Sequence, residues 1–226
     1  MSYYIDLSQI SIDQYKEILR SANLLPSWMR LRDNIDTNLN ALKRQGIHNL
    51  DELLEQLKSK TKIEALASAS GLSVPYLNLL RRVVGGYRPK PNRIEDFRGI
   101  RDQTIEHLKA SGIRNTRQLY PHIPTAEKRA ELSTRLGIPL TEIIRLTRLT
   151  DLSRIKWVNH TFAYVLLEAG YDSAKKVANA DYLELYETVK SLNERRKFYN
   201  AHIGANDMKR CIEAAKTLTS DIDYKG

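Results

Sequence analysis

A single cysteine, Cys211, supplies all the thiol in the 226 residues. It cannot close an intramolecular disulfide or build a thiolate zinc site, and its isolation suits a reducing compartment. No apolar run approaches the ~20 residues that a membrane-spanning helix requires. The opening stretch MSYYIDLSQISIDQ lacks the basic-then-apolar layout of a secretory signal, so a cytoplasmic location without a membrane partner is expected. Sustained alternation of Val, Ile and Thr is missing too, which argues against strands. So are a Gly-x-Ser-x-Gly elbow, a phosphate-binding loop and a dinucleotide fingerprint. His48, His107, His122, His160 and His202 are scattered without metal-ligand spacing. No lysine is set apart by its sequence neighbours as a nucleophile. The expectation is a non-catalytic protein without metal or cofactor.

What is plentiful is positive charge, and it is unevenly spread. Lys and Arg against Asp and Glu leave −1 over residues 1–29, +6 over 30–93, +4 over 94–156 and 0 over 157–226. A polyanionic partner would therefore be met by the middle of the chain.

One phrase recurs three times: GIHN at 46–49, GIRN at 112–115 and GYDS at 170–173. Gly closes helices because it adopts the left-handed conformation past the last turn, while Asn and Ser open them by accepting bonds from unpaired N–H groups. The phrase reads as a helix stop, an apolar plug and a new helix start. Gly71 and Gly137 each follow the first two phrases by 25 residues, and Gly204 follows the third by 34. The matched offsets imply three copies of one helical unit, the third rearranged in its middle. Capping-box patterns support this at SIDQ (11–14), NLDE (49–52) and TKIE (61–64), each adding ~1 kcal/mol of helix stability. SVP at 73–75 marks another helix start, and GGYRPKPN at 85–92 reads as a stiff linker.

Before each phrase lies a tighter turn: RLRDNID at 30–36, DFRGIRD at 96–102 and RIKWVNH at 154–160. A turn of form apolar-x-Gly-apolar-Gly leading into a helix resembles the hairpin of helix-hairpin-helix DNA-binding units. With LKASGIRNTRQL, LSTRLGIPLTEI and LTDLSRIKWVNHTFAYVLLEAGYDSAKKVA, the pattern resembles a bacterial helix-hairpin-helix-like family of unknown function, numbered four-three-three-two, best over residues 93–216. The resemblance implies an all-α fold of tandem helix-hairpin-helix-like units in three related copies. It also implies kinship with proteins that grip DNA backbones. The expected layout is an N-terminal helical extension (1–29), a first unit plus linker (30–92), and the second and third units (93–226).

In such hairpins, glycines let backbone N–H groups approach a phosphate. The glycine positions here read Asp33 and Ile35, Gly99 and Arg101, then Trp157 and Asn159. Only Gly99 is a glycine, so side chains would have to replace much of the backbone cradle. The candidates are Arg81, Arg82, Arg88, Lys90 and Arg93 around the linker, Arg98, Gly99 and Arg101 at the second hairpin, Arg145 and Arg148 on one helix face, and Arg154 and Lys156 at the third hairpin. Five phosphate contacts among them would give a slope of log affinity against log salt of about −4.5. Nothing marks base readout. Trp28 and Trp157 read as packing residues, Tyr182, Leu183 and Tyr186 as a buried stripe, and Cys211 as a buried inert thiol.

Two functions fit this pattern. One is a module that binds nucleic-acid backbone without strong sequence preference. The other is a protein-interaction scaffold using the near-neutral third unit and the N-terminal segment.

Overall fold

The computed structural model describes residues 2–219 and 221–224. Its α-helices are α1 (Ile12–Ser21), α2 (Ile35–Arg44), α3 (Leu50–Gln56), α4 (Lys60–Ser70), α5 (Val74–Gly85), α6 (Asp102–Ala110) and α7 (Thr116–Leu119). They continue with α8 (Ala126–Leu136), α9 (Leu140–Leu152), α10 (His160–Glu168), α11 (Ala174–Ala178), α12 (Tyr182–Arg196) and α13 (Ala205–Lys216). Short 3-10 turns lie at Leu7–Gln9, Pro26–Arg32, Ile94–Asp96 and Tyr120–His122. Among the described residues there is no strand, and no helix is long and apolar enough to cross a membrane.

The chain divides into two units, Tyr4–Arg88 and Met1–Tyr3 with Pro89–Gly226. The division falls inside the Gly-Gly-Tyr-Arg-Pro-Lys-Pro-Asn segment. Residues 4–29 belong to the same unit as 30–88: Arg32 Nε donates to the Leu19 carbonyl oxygen at 2.9 Å, and α1 lies against α2. Fully buried Leu7, Tyr15, Leu42, Leu53 and Leu77 form the centre of that unit. In the larger unit Leu108, Leu119, Leu146, Leu152, Ile155 and Leu166 share one core. Each fully buried aliphatic side chain contributes ~2 kcal/mol.

The glycine phrases do what their residue types require. Gly46, Gly112 and Gly170 have φ of 75°, 84° and 87°. In each, the following N–H reaches back over the helix end: Ile47 to Leu42 O, Ile113 to Leu108 O, and Tyr171 to Leu166 O. Asn49, Asn115 and Ser173 then cap α3, α7 and α11. Gly71 and Gly137 close α4 and α8 with φ of 75° and 62°.

Gly204 differs from them: α12 ends on Lys197 in the left-handed region, and Gly204 opens α13, its N–H donating to Asp207 Oδ2 at 2.8 Å. One local expectation is corrected. The α4 start lies two residues earlier than TKIE suggests, because the Ser59 hydroxyl accepts from the Lys62 N–H.

Candidate functional site

Residues 97–101 form a turn that delivers the chain into α6. Phe97 and Ile100 are buried and anchor it, while Arg98 and Arg101 stay exposed. Gly99, between them, has φ 75°. A Cβ added there would stand 3.1 Å from Arg145 Nη2 and 3.4 Å from Arg145 Nε. The missing side chain is thus replaced by a guanidinium delivered from α9.

That guanidinium is held from two other sides. Arg145 Nη2 donates to Glu168 Oε1 at 3.0 Å, and its guanidinium carbon lies 5.6 Å from the Tyr164 ring centre. Tyr164 meets Phe198 edge to face, and Arg98 lies over Phe198 at 6.0 Å. Arg148, one turn along α9, pairs with Asp172 at 3.6 Å. Arg101 pairs with Glu142, which also accepts from the Arg101 backbone N–H at 3.4 Å. Thr141, Glu142, Arg145, Arg148 and Leu167 line a small cavity of about 300 Å³ beside the turn. Five of the residues singled out from sequence, Arg98, Gly99, Arg101, Arg145 and Arg148, therefore form one neighbourhood.

The remaining candidates lie elsewhere. Arg81, Arg82 and Arg88 are exposed in the smaller unit, Arg88 pairing with Asp51 at 2.6 Å. Lys90 and Arg93 are exposed in the larger unit, and Arg93 pairs with Glu95.

Arg154 and Lys156 need correction, because both face inward. Arg154 is 2% exposed; it donates to the Tyr3 carbonyl oxygen at 3.0 Å, pairs with Asp151 at 3.2 Å and lies 4.5 Å from the Tyr120 ring centre. Asp151 also accepts from the Ala174 N–H and the Tyr224 hydroxyl. Burial pushes the Asp151 carboxyl up, and those donors together with Arg154 pull it back. Leaving such a network to meet a phosphate would strand a buried carboxylate. Lys156 is 7% exposed and sits 4.4 Å from the Trp157 ring centre. Burial lowers its ammonium to about 7.

Trp157 was expected to pack inside; it is 49% exposed, at φ 70°. Trp28 is buried. Leu183 leaves the supposed buried stripe at 52% exposure, while Leu185 takes the inner position. Cys211 is buried, and desolvation pushes its thiol up to about 12, which makes it a poor nucleophile. Among the described residues no group of three or more His, Cys, Asp or Glu is placed to hold a metal ion.

Sequence reasoning overlooked the acidic partners Glu142, Glu168 and Asp172. For Glu142 a signal existed: it stands at the third position of α9, where a Glu ordinarily reaches back to the capping N–H, but the cap residue is Pro139, which has none.

No curated protein and no solved structure matches the chain. Residues 98–218, more than half of it, match the family described as "Domain of unknown function (DUF4332)", as the motifs led us to expect, and the chain belongs to that family.

Proposed function

We propose that this protein is a non-catalytic cytoplasmic module that binds nucleic-acid backbone, built from three related helix-hairpin-helix-like units. The recurrent bonding at Gly46, Gly112 and Gly170 supports the relation between units. The turns at 97–101 and 155–159 agree with it, with positive φ at Gly99 and Trp157 two residues before the helix cap. The observation that carries the binding reading is the Gly99 turn itself. It joins a glycine, two exposed arginines and the Arg145 guanidinium in a place where a phosphate could meet all of them.

Titration of labelled duplex DNA at 50 to 200 mM salt tests this. Contacts from Arg98, Arg101, Arg145 and Arg148 predict a log–log salt slope of about −3.6, and the Arg98→Glu/Arg101→Glu double variant should lose most of the affinity. Absence of binding at the lowest salt would end the reading.

A second reading, a protein-interaction scaffold, is favoured by Trp157 and Leu183, which expose large apolar surface. In that case Trp157→Ala would abolish partner recovery, while the double charge reversal would leave it unchanged.

A further inference from the structure

Helices α4 and α8 end on Gly71 and Gly137, and α12 ends on Lys197, all three in the left-handed region. Glycine takes that conformation freely, whereas a lysine must hold it against its own Cβ. The chain also continues differently. Two residues after Gly71 and Gly137 the next helix is capped, by Ser73 and Pro139. After Lys197 the chain runs on to Gly204 before α13 begins. Here the third unit is longer than the others, with 34 residues from Gly170 to Gly204 against 25 from Gly46 to Gly71.

The added chain is held by specific bonds. Asn193 on α12 grips Tyr199 with both ends of its side-chain amide: Nδ2 donates to the Tyr199 carbonyl oxygen and Oδ1 accepts from the Tyr199 N–H, each at 3.0 Å. Phe198 packs edge to face on Tyr164, with ring centres 5.3 Å apart, and lies beneath Arg98 at 6.0 Å. The end of α12 is thereby fixed beside the Gly99 turn. Lys197 stands one Cα step, about 3.8 Å, from the residue that touches Arg98.

That end carries cations which nothing neutralises. Arg195, Arg196 and Lys197 are all exposed. Arg195 Nε donates to the Ser191 carbonyl oxygen at 3.2 Å, an ordinary use of a cation at a helix end. Among the described residues, Arg196 and Lys197 form no ion pair and no side-chain hydrogen bond, and the adjacent Glu194 pairs with neither. The turn is different, because Arg101, Arg145 and Arg148 already face Glu142, Glu168 and Asp172. A nucleic-acid strand, with one charge per ~3.4 Å, suits cations spaced along a rigid loop and needs no base readout.

We infer that Arg196 and Lys197 are further phosphate contacts, so that a strand laid across the Gly99 turn continues over Phe198 to the end of α12. This rests on the nucleic-acid reading above and adds to it a second anchor, one that the net charge of 0 over 157–226 conceals.

Duplex DNA titrations between 50 and 200 mM salt test the inference with the wild-type chain, Arg196→Gln/Lys197→Gln and Lys175→Gln/Lys176→Gln. Lys175 and Lys176 are exposed on α11 and report the loss of any two positive charges. The four arginines near the turn account for a log–log slope of about −3.6, and two further contacts steepen it to about −5.4. Arg196→Gln/Lys197→Gln should return the slope to about −3.6, so the fourfold salt rise costs wild type about twelvefold more affinity than it costs this variant. Lys175→Gln/Lys176→Gln should keep the wild-type slope. Lys197→Gly separates charge from conformation: it installs the residue that closes α4 and α8, should fold at least as stably, and should still bring the slope to about −4.5.

An unchanged slope in Arg196→Gln/Lys197→Gln, or an equal change in the α11 pair, would overturn the inference and leave the nucleic-acid reading standing. Absence of binding by every form at the lowest salt would remove both.

Discussion

Residues 97–101 and 155–159 trace one kind of turn, apolar anchors at the first and fourth positions and a left-handed residue at the third, yet the two have opposite surroundings. At the first, the left-handed residue is Gly99, the neighbouring arginines face water, and the neutralising carboxylates come from side chains at the surface or partly buried. At the second, the left-handed residue is an exposed Trp157, the preceding Lys156 is buried beneath it, and Arg154 is enclosed with Asp151. A shared backbone path therefore does not imply a shared binding site. One turn leaves its cations available, whereas the other has built its cations into the core.

Arg154→Ala should break this contrast most severely. Removing it strands Asp151 and should cost about 3–5 kcal/mol in denaturant unfolding, whereas exposed Arg98→Ala should change stability by less than about 0.5 kcal/mol. Equal costs would mean that the two turns do not differ as described.

Lys156 supplies the next contrast. Its ammonium titrates near 10.4 in the unfolded chain and is lowered to about 7 in the fold by burial, while the Trp157 ring pulls the other way. Between those values the unfolded chain holds the extra proton, so stability should rise as pH goes from 7 towards 10. The contribution is on the order of 1 kcal/mol per pH unit. Lys156→Met should flatten that rise relative to wild type; identical pH profiles would show that the amine is not desolvated.

A smaller effect than at Arg154 is expected at Gly99. Gly99→Ala places a Cβ in the left-handed region and against Arg145, so a loss of about 1–2 kcal/mol is expected in the same unfolding measurement. Arg145 would be displaced with it. A neutral or stabilising result would show that the glycine is not required there.

Much of the fold was legible because its signals are local. Gly112 and Asn115 stop one helix and start another through bonds to residues within a few positions, and the same holds for Gly46 with Asn49. Gly204 departs from Gly71 and Gly137 because Lys197 had already ended α12 in the left-handed region, leaving Gly204 as an N-cap, a place glycine takes less often than a helix end. The arginines were legible as a group but not individually. Arg98 and Arg154 look alike in sequence, and nothing near Arg154 announces that Tyr3, 151 residues away, will accept its hydrogen bond. The pairing of Glu142 was hidden for the same reason: its position in α9 hinted that it had no capping N–H to return to, but the N–H it accepts from lies 41 residues away.

The sequence by itself determined the helical class, the stops and starts at its glycine phrases and the surplus of positive charge in its middle. Those depend on backbone sterics, capping and counting. Which cations reach water, which carboxylates neutralise them and which aromatic remains outside were decided only by tertiary structure. Burial and ion pairing are set by residues that folding brings together from distant parts of the chain.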